Sequence, residues 1–367
     1  MGIKFEFLKA GYGDSILIST DEGTNILIDG GLVPTKDEIV TKVNKLKKKD
    51  ELDLVVLTHI DNDHICGLIA LIKEKNNIKI NKLWFNSANL KVSKESSEKA
   101  GGQAIYFENL IEKQDIAYYN DISLEEEDKT YNINEIKLEL LSPMKKDVEK
   151  LNKEWISEEE KLCNGHKVEE KNSKLGFDTR KIEELEKTFL TELQKLEEKE
   201  TTQRDTPENQ SSIAFILKYK KEKFLFLADA NIGVINESLN RLGYSKKTPL
   251  KVKFVKLSHH GSKNNINQEF LDLVETEDYV ILTNGQKFQH PDKETLSLII
   301  MRYFRKNKKL NLFFNYKDFF QKKFMDNENE LDLIMLSERD IDNKFSKIEK
   351  NYNFTAKYKS VMEYPFV

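Results

Sequence analysis

Apolar and polar residues alternate in short runs through the first part of the chain. Residues 3–8, 15–19, 25–28 and 54–58 read as short strands, and the last is an apolar run of the kind buried on both faces. Residues 37–48 read as a helix ahead of that run. A further strand is expected at 136–142, where Pro143 stops it. The pattern returns from residue 211. Segments 212–218 and 224–228 flank Lys220-Lys221-Glu222-Lys223 and predict a β-hairpin, and 252–258 and 279–283 predict two more strands. A mixed, Phe-rich tail begins at 311, with one strand expected at 331–336.

Between these halves the character of the sequence changes. Residues 145–205 are dominated by Glu, Lys and Asn. Ile182, Leu185, Phe189, Leu193 and Leu196 fall at helical spacing, which predicts an amphipathic helix over 181–200 paired with another around 148–162. The pattern thus divides the chain into an N-terminal half (1–144), a charged helical insertion (145–205), a C-terminal half (206–310) and a C-terminal extension (311–367). The insertion reads as a cap on the domain, with docking of a partner protein or gating of substrate as the other roles such a module can take.

Length and composition narrow the class. With 367 residues, 38% hydrophobic and 33% charged, the chain can bury the core of one large α/β domain or two modest ones. A formal charge of −4 gives no global attraction to nucleic acid, so such binding needs a local patch. The candidate is 302–323, where Arg302, Arg305, Lys306, Lys308 and Lys309 alternate with Tyr303, Phe304, Phe313 and Phe314, a mixture suited to phosphates and unpaired bases. A core helix and strand with a solvated basic face is the plainer reading of the same stretch. Two cysteines, Cys66 and Cys163, are too few for a disulfide framework, and a reducing, cytoplasmic setting is expected. Cys66 is expected to pack as a small apolar residue. The first residues alternate like a strand and carry neither a signal peptide nor a myristoylation pattern. No run reaches the ~18 apolar residues of a membrane span, so no membrane partner is expected.

The histidines change the picture most. Of six, His59, His64, His259 and His260 form two tight clusters, each after an apolar strand. In Thr58-His59-Ile60-Asp61-Asn62-Asp63-His64, four ligand-type side chains fall within six residues. They cannot all be buried with partners of their own, and a shared cation resolves this. Ser258-His259-His260-Gly261 and Leu227-Ala228-Asp229-Ala230 follow two further strands. Three strand ends presenting His and Asp are how a two-metal site is assembled at one edge of a sheet sandwich. His166, inside the polar insertion, reads as solvent-exposed. Gly11, Gly13, Gly30 and Gly31 lack the spacing of a phosphate loop and read as tight turns beside the site.

The order His59-x-Asp61-x-Asp63-His64 resembles the HxHxDH signature of the metallo-β-lactamase fold, with Asp in the second His position. Together with Gly11-Tyr12-Gly13-Asp14-Ser15, Leu27-Ile28-Asp29-Gly30-Gly31, Asn209-Gln210-Ser211-Ser212, Ala228-Asp229, His259-His260-Gly261-Ser262 and Gly285…His290-Pro291, it is similar to the hydrolase domain of the ComEC competence DNA-uptake channel and its soluble relatives. The resemblance spans roughly 3–145 and 205–305, and the channel itself has no counterpart. It implies an αβ/βα sandwich and a metal-dependent hydrolase of phosphodiesters, with Zn²⁺ or Mn²⁺ as the two cations. Small phosphoesters, other esters or amides, and a non-catalytic metal-stabilised subunit are the alternatives. It further implies that His59 and Asp61 serve one metal, that Asp63 and His64 serve the other, and that Asp229 bridges. Of the paired histidines His260 is favoured as the last ligand, with His259 close behind. Asn209 falls where the fold has a third His, Asp29 would orient ligands, and Asp63 and His290 are the catalytic candidates. Oxygen donors at Asp61 and Asn209 tilt the first site toward Mn²⁺. The methyl of Ala228, where the family more often has Gly, is tolerable unless that turn needs a positive φ.

Overall fold

The computed structural model describes residues 2–74, 77–86, 103–125, 129–154, 195, 206–316, 349–350 and 353–365. The first half runs β1 (Gly2–Phe7), β2 (Ile16–Thr20), β3 (Asn25–Ile28), α1 (Thr35–Val43), β4 (Leu54–Val56), α2 (Asn62–Lys73), β5 (Leu83–Trp84), α3 (Gln103–Lys113), β6 (Tyr118–Tyr119), β7 (Thr130–Ile133), β8 (Ile136–Ser142) and α4 (Lys145–Glu154). The second runs α5 (Pro207–Gln210), β9 (Ala214–Tyr219), β10 (Glu222–Phe226), α6 (Ile232–Arg241), β11 (Val255–Lys256), α7 (Gln268–Leu273), β12 (Asp278–Ile281), α8 (Lys293–Arg305), β13 (Leu310–Phe314), β14 (Phe354–Tyr358) and β15 (Val361–Pro365). One sheet has the order β15-β1-β2-β3-β4-β5-β6, the other β14-β13-β12-β11-β10-β9-β8-β7.

The two-residue period decides what each sheet face buries. On β3 and β4, Ile26, Ile28, Leu54 and Val56 meet Phe5, Phe215, Phe226 and Phe254 in a core between the sheets. Their alternates Leu27 and Val55 face the other way, onto Ile39, Ile65, Leu68 and Ile111 of α1, α2 and α3. The second sheet repeats the arrangement: Ile216, Leu225, Val255 and Ile281 pack outward against Ile235, Phe270, Leu296 and Ile300 of α6, α7 and α8. Both faces of both sheets are therefore covered. The result is the expected αβ/βα sandwich; Cys66, on α2, is buried, but as a disulfide-bonded cysteine and not as the plain small apolar residue expected.

Strand direction puts the site at one edge. β3 and β4 are parallel, as are β10, β11 and β12, so their C-terminal ends deliver Asp29, His59, Asp229, His259 and His260 to the same rim. β9 runs antiparallel to β10, so its N-terminal end, preceded by α5 and Asn209, reaches that rim too. Backbone bonds tie the loops across the sandwich, from Ile213 N to Thr58 O (2.9 Å) and from Asn284 N to Gly11 O (2.9 Å). The run expected as a strand to Thr58 leaves the ladder after Val56. The Thr58 N–H donates to the Asp29 carboxylate instead of to a neighbouring strand.

Segments expected at the periphery prove to be joined to the core. The tail expected as an extension supplies an edge strand to each sheet: β14 pairs in parallel with β13, and β15 pairs antiparallel with β1. At the start of the insertion, Leu151 on α4 is buried against Ile60, inside the His59–His64 loop. In the basic stretch, Tyr303, Phe313 and Phe314 are buried in the core. Arg302 and Lys308 pair with Asp272 (2.7 Å) and Glu275 (2.6 Å), which corrects the expectation of an aromatic-basic surface there. Phe304 alone of those four aromatics is largely exposed. The basic residues beyond 316, His166, the helix expected at 181–200 and the strand expected at 331–336 lie outside the described residues. Among the described residues no helix is long and apolar enough to cross a membrane.

One close approach locks the rim. A Cβ on Gly67 of α2 would lie 1.9 Å from Gly30 O, and one on Gly30 would lie 2.3 Å from Leu68 N. The contact is clamped by Gly30 N to His64 O and Gly67 N to Gly31 O, both 2.8 Å. Gly67→Ala should cost about 3 kcal/mol, the upper end of the usual range for overpacking. Urea denaturation followed by circular dichroism measures this, and an unchanged midpoint would mean the two loops separate freely.

Candidate metal centre

Asp29 ends β3 in a left-handed conformation (φ 57°) and is wholly buried. One carboxylate oxygen accepts the Thr58 N–H (2.7 Å). The other accepts the Thr58 hydroxyl (2.8 Å) and the Nδ1–H of His64 (2.8 Å). Because the Thr58 hydroxyl donates to Asp29, its oxygen is left to accept from Nδ1 of His59, 3.1 Å away. On the other sheet, Nδ1 of His260 donates to Leu282 O (2.9 Å). All three rings therefore engage Nδ1 and turn Nε2 toward the rim.

The Nε2 atoms converge on carboxylates. His59 Nε2 lies 3.9 Å and His64 Nε2 3.7 Å from Asp229, and His260 Nε2 lies 3.3 Å from Asp63 and 3.8 Å from Asp229. The groups His59–His64–Asp229 and Asp63–His64–His260 each bring their ligand atoms within 4.8 Å of one another. The Nε2 atoms of His59, His64 and His260 and Oδ1 of Asp229 are buried with no hydrogen-bond partner. Unpartnered buried nitrogens and a carboxylate oxygen aimed at one point are the donor set of a divalent cation, so the residues fit the metal the sequence implies.

The remaining candidates lie around this cluster. His259 Nε2 is 3.7 Å from Asp229, on the side where Asn209 Nδ2 lies 3.4 Å from its Nδ1, and its ring is about a quarter exposed. Asn209 Oδ1 is itself buried without a partner. Asp61 Oδ2 is 3.6 Å from His59 Nε2, and its side chain is the most open of the set. His290 stands against His259 (ring centroids 5.3 Å), its Nδ1 3.4 Å from Asp292. The structure thus brings His260 to Asp63 and His64, and His259 to Asp229 and Asn209.

A second buried chain stands behind His260. Lys256 is 1% exposed and forms a tight ion pair with Asp14, whose other oxygen lies 3.2 Å from His260 Nδ1. Burial alone would raise the Asp14 carboxyl, but Lys256 and His260 outweigh it and hold it low. The sequence does not single out Lys256 by its chemistry. The signal is positional: in Phe254-Val255-Lys256-Leu257 the lysine shares the inward parity of Phe254, a charge placed between the sheets.

Backbone strain collects here as well. Ala228 (φ 46°), His259 (φ 46°) and His260 (φ 54°) join Asp29 in the left-handed region. Each costs of order 1 kcal/mol, and such residues cluster where side chains must be aimed. Ala228 is thus the case in which its methyl works against the turn.

Charge explains how the cluster responds to a cation. Burial disfavours a charged His64, yet Asp29, Asp229 and Asp63 push it up to about 10. His260 is likewise raised well above the ordinary range: burial opposes this, and Asp14 and Asp229 outweigh it. Burial raises Asp63 and Asp229, but the surrounding histidines hold both below the usual carboxylate range. Without a cation, His64 and His260 hold protons at neutral pH on the nitrogens that would ligate. A cation must displace them, so affinity should rise with pH through the neutral range. Titration calorimetry with Zn²⁺ in buffers of different ionisation heat should show release of about two protons per chain. Uptake without proton release would refute the assignment. Asp29→Asn, which tolerates a left-handed backbone, should weaken metal binding by about 10–100-fold.

Part of the chain matches a known family model. Residues 8–82 match the family model described as Metallo-beta-lactamase superfamily, a segment that carries Asp29, His59, Asp61, Asp63 and His64. No curated protein matches the chain. Solved structures similar to it include the metallo-beta-lactamase fold protein YhfI from Bacillus subtilis, with 9% identity, a TM-score of 0.38, and coverage of 99% of this chain and 100% of that one. Zn²⁺-bound PqqB from Methylobacterium extorquens aligns at 8% identity and TM-score 0.43, covering 97% and 88%. A long-form RNase Z from yeast aligns at 10% identity and TM-score 0.36, covering 86% and 36%. None of these likenesses bears on what the chain acts on. Residues 8–82 carry the signature segment of the metallo-β-lactamase superfamily, and the αβ/βα sandwich around it is the metallo-β-lactamase fold.

Proposed function

We propose that this chain is a metal-dependent hydrolase of phosphodiesters, with DNA or RNA strands as substrate and two divalent cations, Mn²⁺ or Zn²⁺, as cofactors. The observation that carries the reading is the convergence of three unpartnered Nε2 atoms, from His59, His64 and His260, on the buried carboxylate of Asp229, one oxygen of which is itself unpartnered. His59 and Asp61 would hold one cation, with His259 and Asn209 Oδ1 beside it, and Asp63, His64 and His260 would hold the other, with Asp229 available to either. The phosphodiester class is supported by the ComEC-like set of motifs, since lactamase-type sites place nitrogen where this chain has Asp61 and Asn209.

A bound cation pair supplies a hydroxide near neutral pH and offsets charge building on the phosphate. The chain's own residues do the rest. Asp63 and Asp229 stay ionised across the working range, so neither can act as the acid. Asp63 can instead accept a hydrogen bond from the attacking water and so orient it. His290, at the open side of the cluster and next to Asp292, is placed to protonate the leaving oxygen. Asp29 and Asp14 keep the ligand rings aimed and need not move during the reaction.

Metal-loaded protein should hydrolyse bis-p-nitrophenyl phosphate and single-stranded oligonucleotides. Asp63→Ala should abolish this, and His290→Gln should lower kcat about 100-fold with metal content retained. Loaded protein inert toward every phosphodiester would overturn the reading. Because Asp61 and Asn209 add oxygen donors, Mn²⁺ should support turnover at least as well as Zn²⁺, and Asp61→His should reverse that order. A wild type active with Zn²⁺ alone would refute the hardness argument.

A further inference from the structure

The loop that carries His290 also carries Lys287 and Phe288, and neither has a part in the chemistry above. Phe288 is 45% exposed, a large apolar ring left open beside a polar site. It stacks on His290 (6.1 Å between centroids, 26° between planes), and His290 in turn meets His259 at the cluster. Across the entrance, Tyr12 meets the edge of Phe288 at 5.8 Å and 90°. The Lys287 ammonium lies over both rings, 4.8 Å from the centre of Tyr12 and 4.7 Å from that of Phe288. The two loops are latched below: the Gly11 N–H donates to the Tyr316 hydroxyl (2.7 Å), and Gly11 O accepts from Asn284 N (2.9 Å). A line of rings therefore runs from solvent to the metal-ligand cluster, with a cation at its outer end.

We propose that Phe288, Tyr12 and Lys287 form a platform that takes one unpaired nucleobase of a single-stranded nucleic acid, next to the phosphate to be cleaved. This rests on the phosphodiesterase reading and names how such a substrate is held. A base would stack on the Phe288 ring where the Lys287 ammonium now lies, the lysine turning outward to the backbone, and such stacking suits a base of any identity because every base presents a π-face. A base within a duplex has both faces covered, so only an unpaired one can stack here. Lys287 adds a charge for the backbone, and the ring line sets the base outside and the phosphate inside. The platform also supplies the local positive, aromatic surface that a chain of charge −4 needs, and that residues 302–316 do not provide because their aromatics are largely buried.

The test uses the full chain and a fluorescent single-stranded DNA with phosphorothioate links, beside an abasic strand of equal length. By anisotropy, the base-bearing strand should bind about tenfold tighter than the abasic one. Phe288→Ala should remove most of that preference, and Phe288→Trp should keep it. A 2-aminopurine in the strand should lose fluorescence on binding to the wild type and far less on binding to Phe288→Ala. Lys287→Gln should weaken both strands and flatten the log–log salt slope by about 0.7. The same pair made with ribose separates RNA from DNA as the source of the strand. Equal binding of base-bearing and abasic strands by the wild type would overturn the proposal, as would a preference that survives Phe288→Ala. Hydrolysis of bis-p-nitrophenyl phosphate by the wild type without a base preference would sink the platform alone. A base preference in a chain that hydrolyses no phosphodiester would sink the catalytic reading alone.

Discussion

The carboxylate of Asp29 accepts three hydrogen bonds, and each sets something different. The bond from Thr58 N ends strand β4 and turns the chain into the His59–His64 loop. The bond from the Thr58 hydroxyl leaves that oxygen free to receive His59, and the bond from His64 fixes the second ring directly. A single buried anion thus couples the end of one sheet strand to the aim of two imidazoles from the next. Asp14 does similar work for the other sheet, with Lys256 as its counter-charge and His260 as the ring it steadies. Buried charges of this kind are costly unless fully partnered. Their partners here are the imidazoles of the proposed metal centre.

Much of this arrangement was legible before any coordinates. The spacing of His59, Asp61, Asp63 and His64 placed these four side chains at one strand end, and the structure gathers them there beside Asp229. The strands at 25–28 and 136–142 were read to the residue, since the first is a short apolar run, the second alternates over its first half, and both end at a turn signal. Other elements were hidden for physical reasons. Strands β14 and β15 are short edge strands with polar or charged residues on their exposed sides, so Phe354–Tyr358 and Val361–Pro365 lack the continuous apolar run that marks a strand buried on both faces. The mixture of bases and aromatics at 302–316 misled in the opposite way. Composition cannot tell which side of a helix a residue occupies, and Tyr303 and Phe313 belong to the interior.

The site also shows where local preference yields to function. Ala228, His259, His260 and Asp29 all adopt a backbone that favours glycine, and all four lie at strand ends that deliver ligands or their supports. The surrounding sandwich is well packed on every sheet face, so the strain is carried by a rigid frame rather than relaxed by it. Mouth and centre differ in the same respect. The ligand rings are pinned by buried anions, whereas the outer rings of Tyr12 and Phe288 are held by one another and by a lysine.

The pairing of β15 with β1 carries a consequence for how the molecule is made. Gly2 lies opposite Pro365 and Phe5 opposite Met362, so β1 is flanked by a strand that leaves the ribosome long after it. Until then, β1 has a partner on one side only, and the amide groups along its other side remain available to any passing chain. The first sheet is consequently finished after the second has been laid down, by a segment that has just added β14 to that second sheet. Closure of the two sheets is then a single late event during synthesis. A nascent chain stalled before residue 354 would expose a sticky edge that the finished protein conceals.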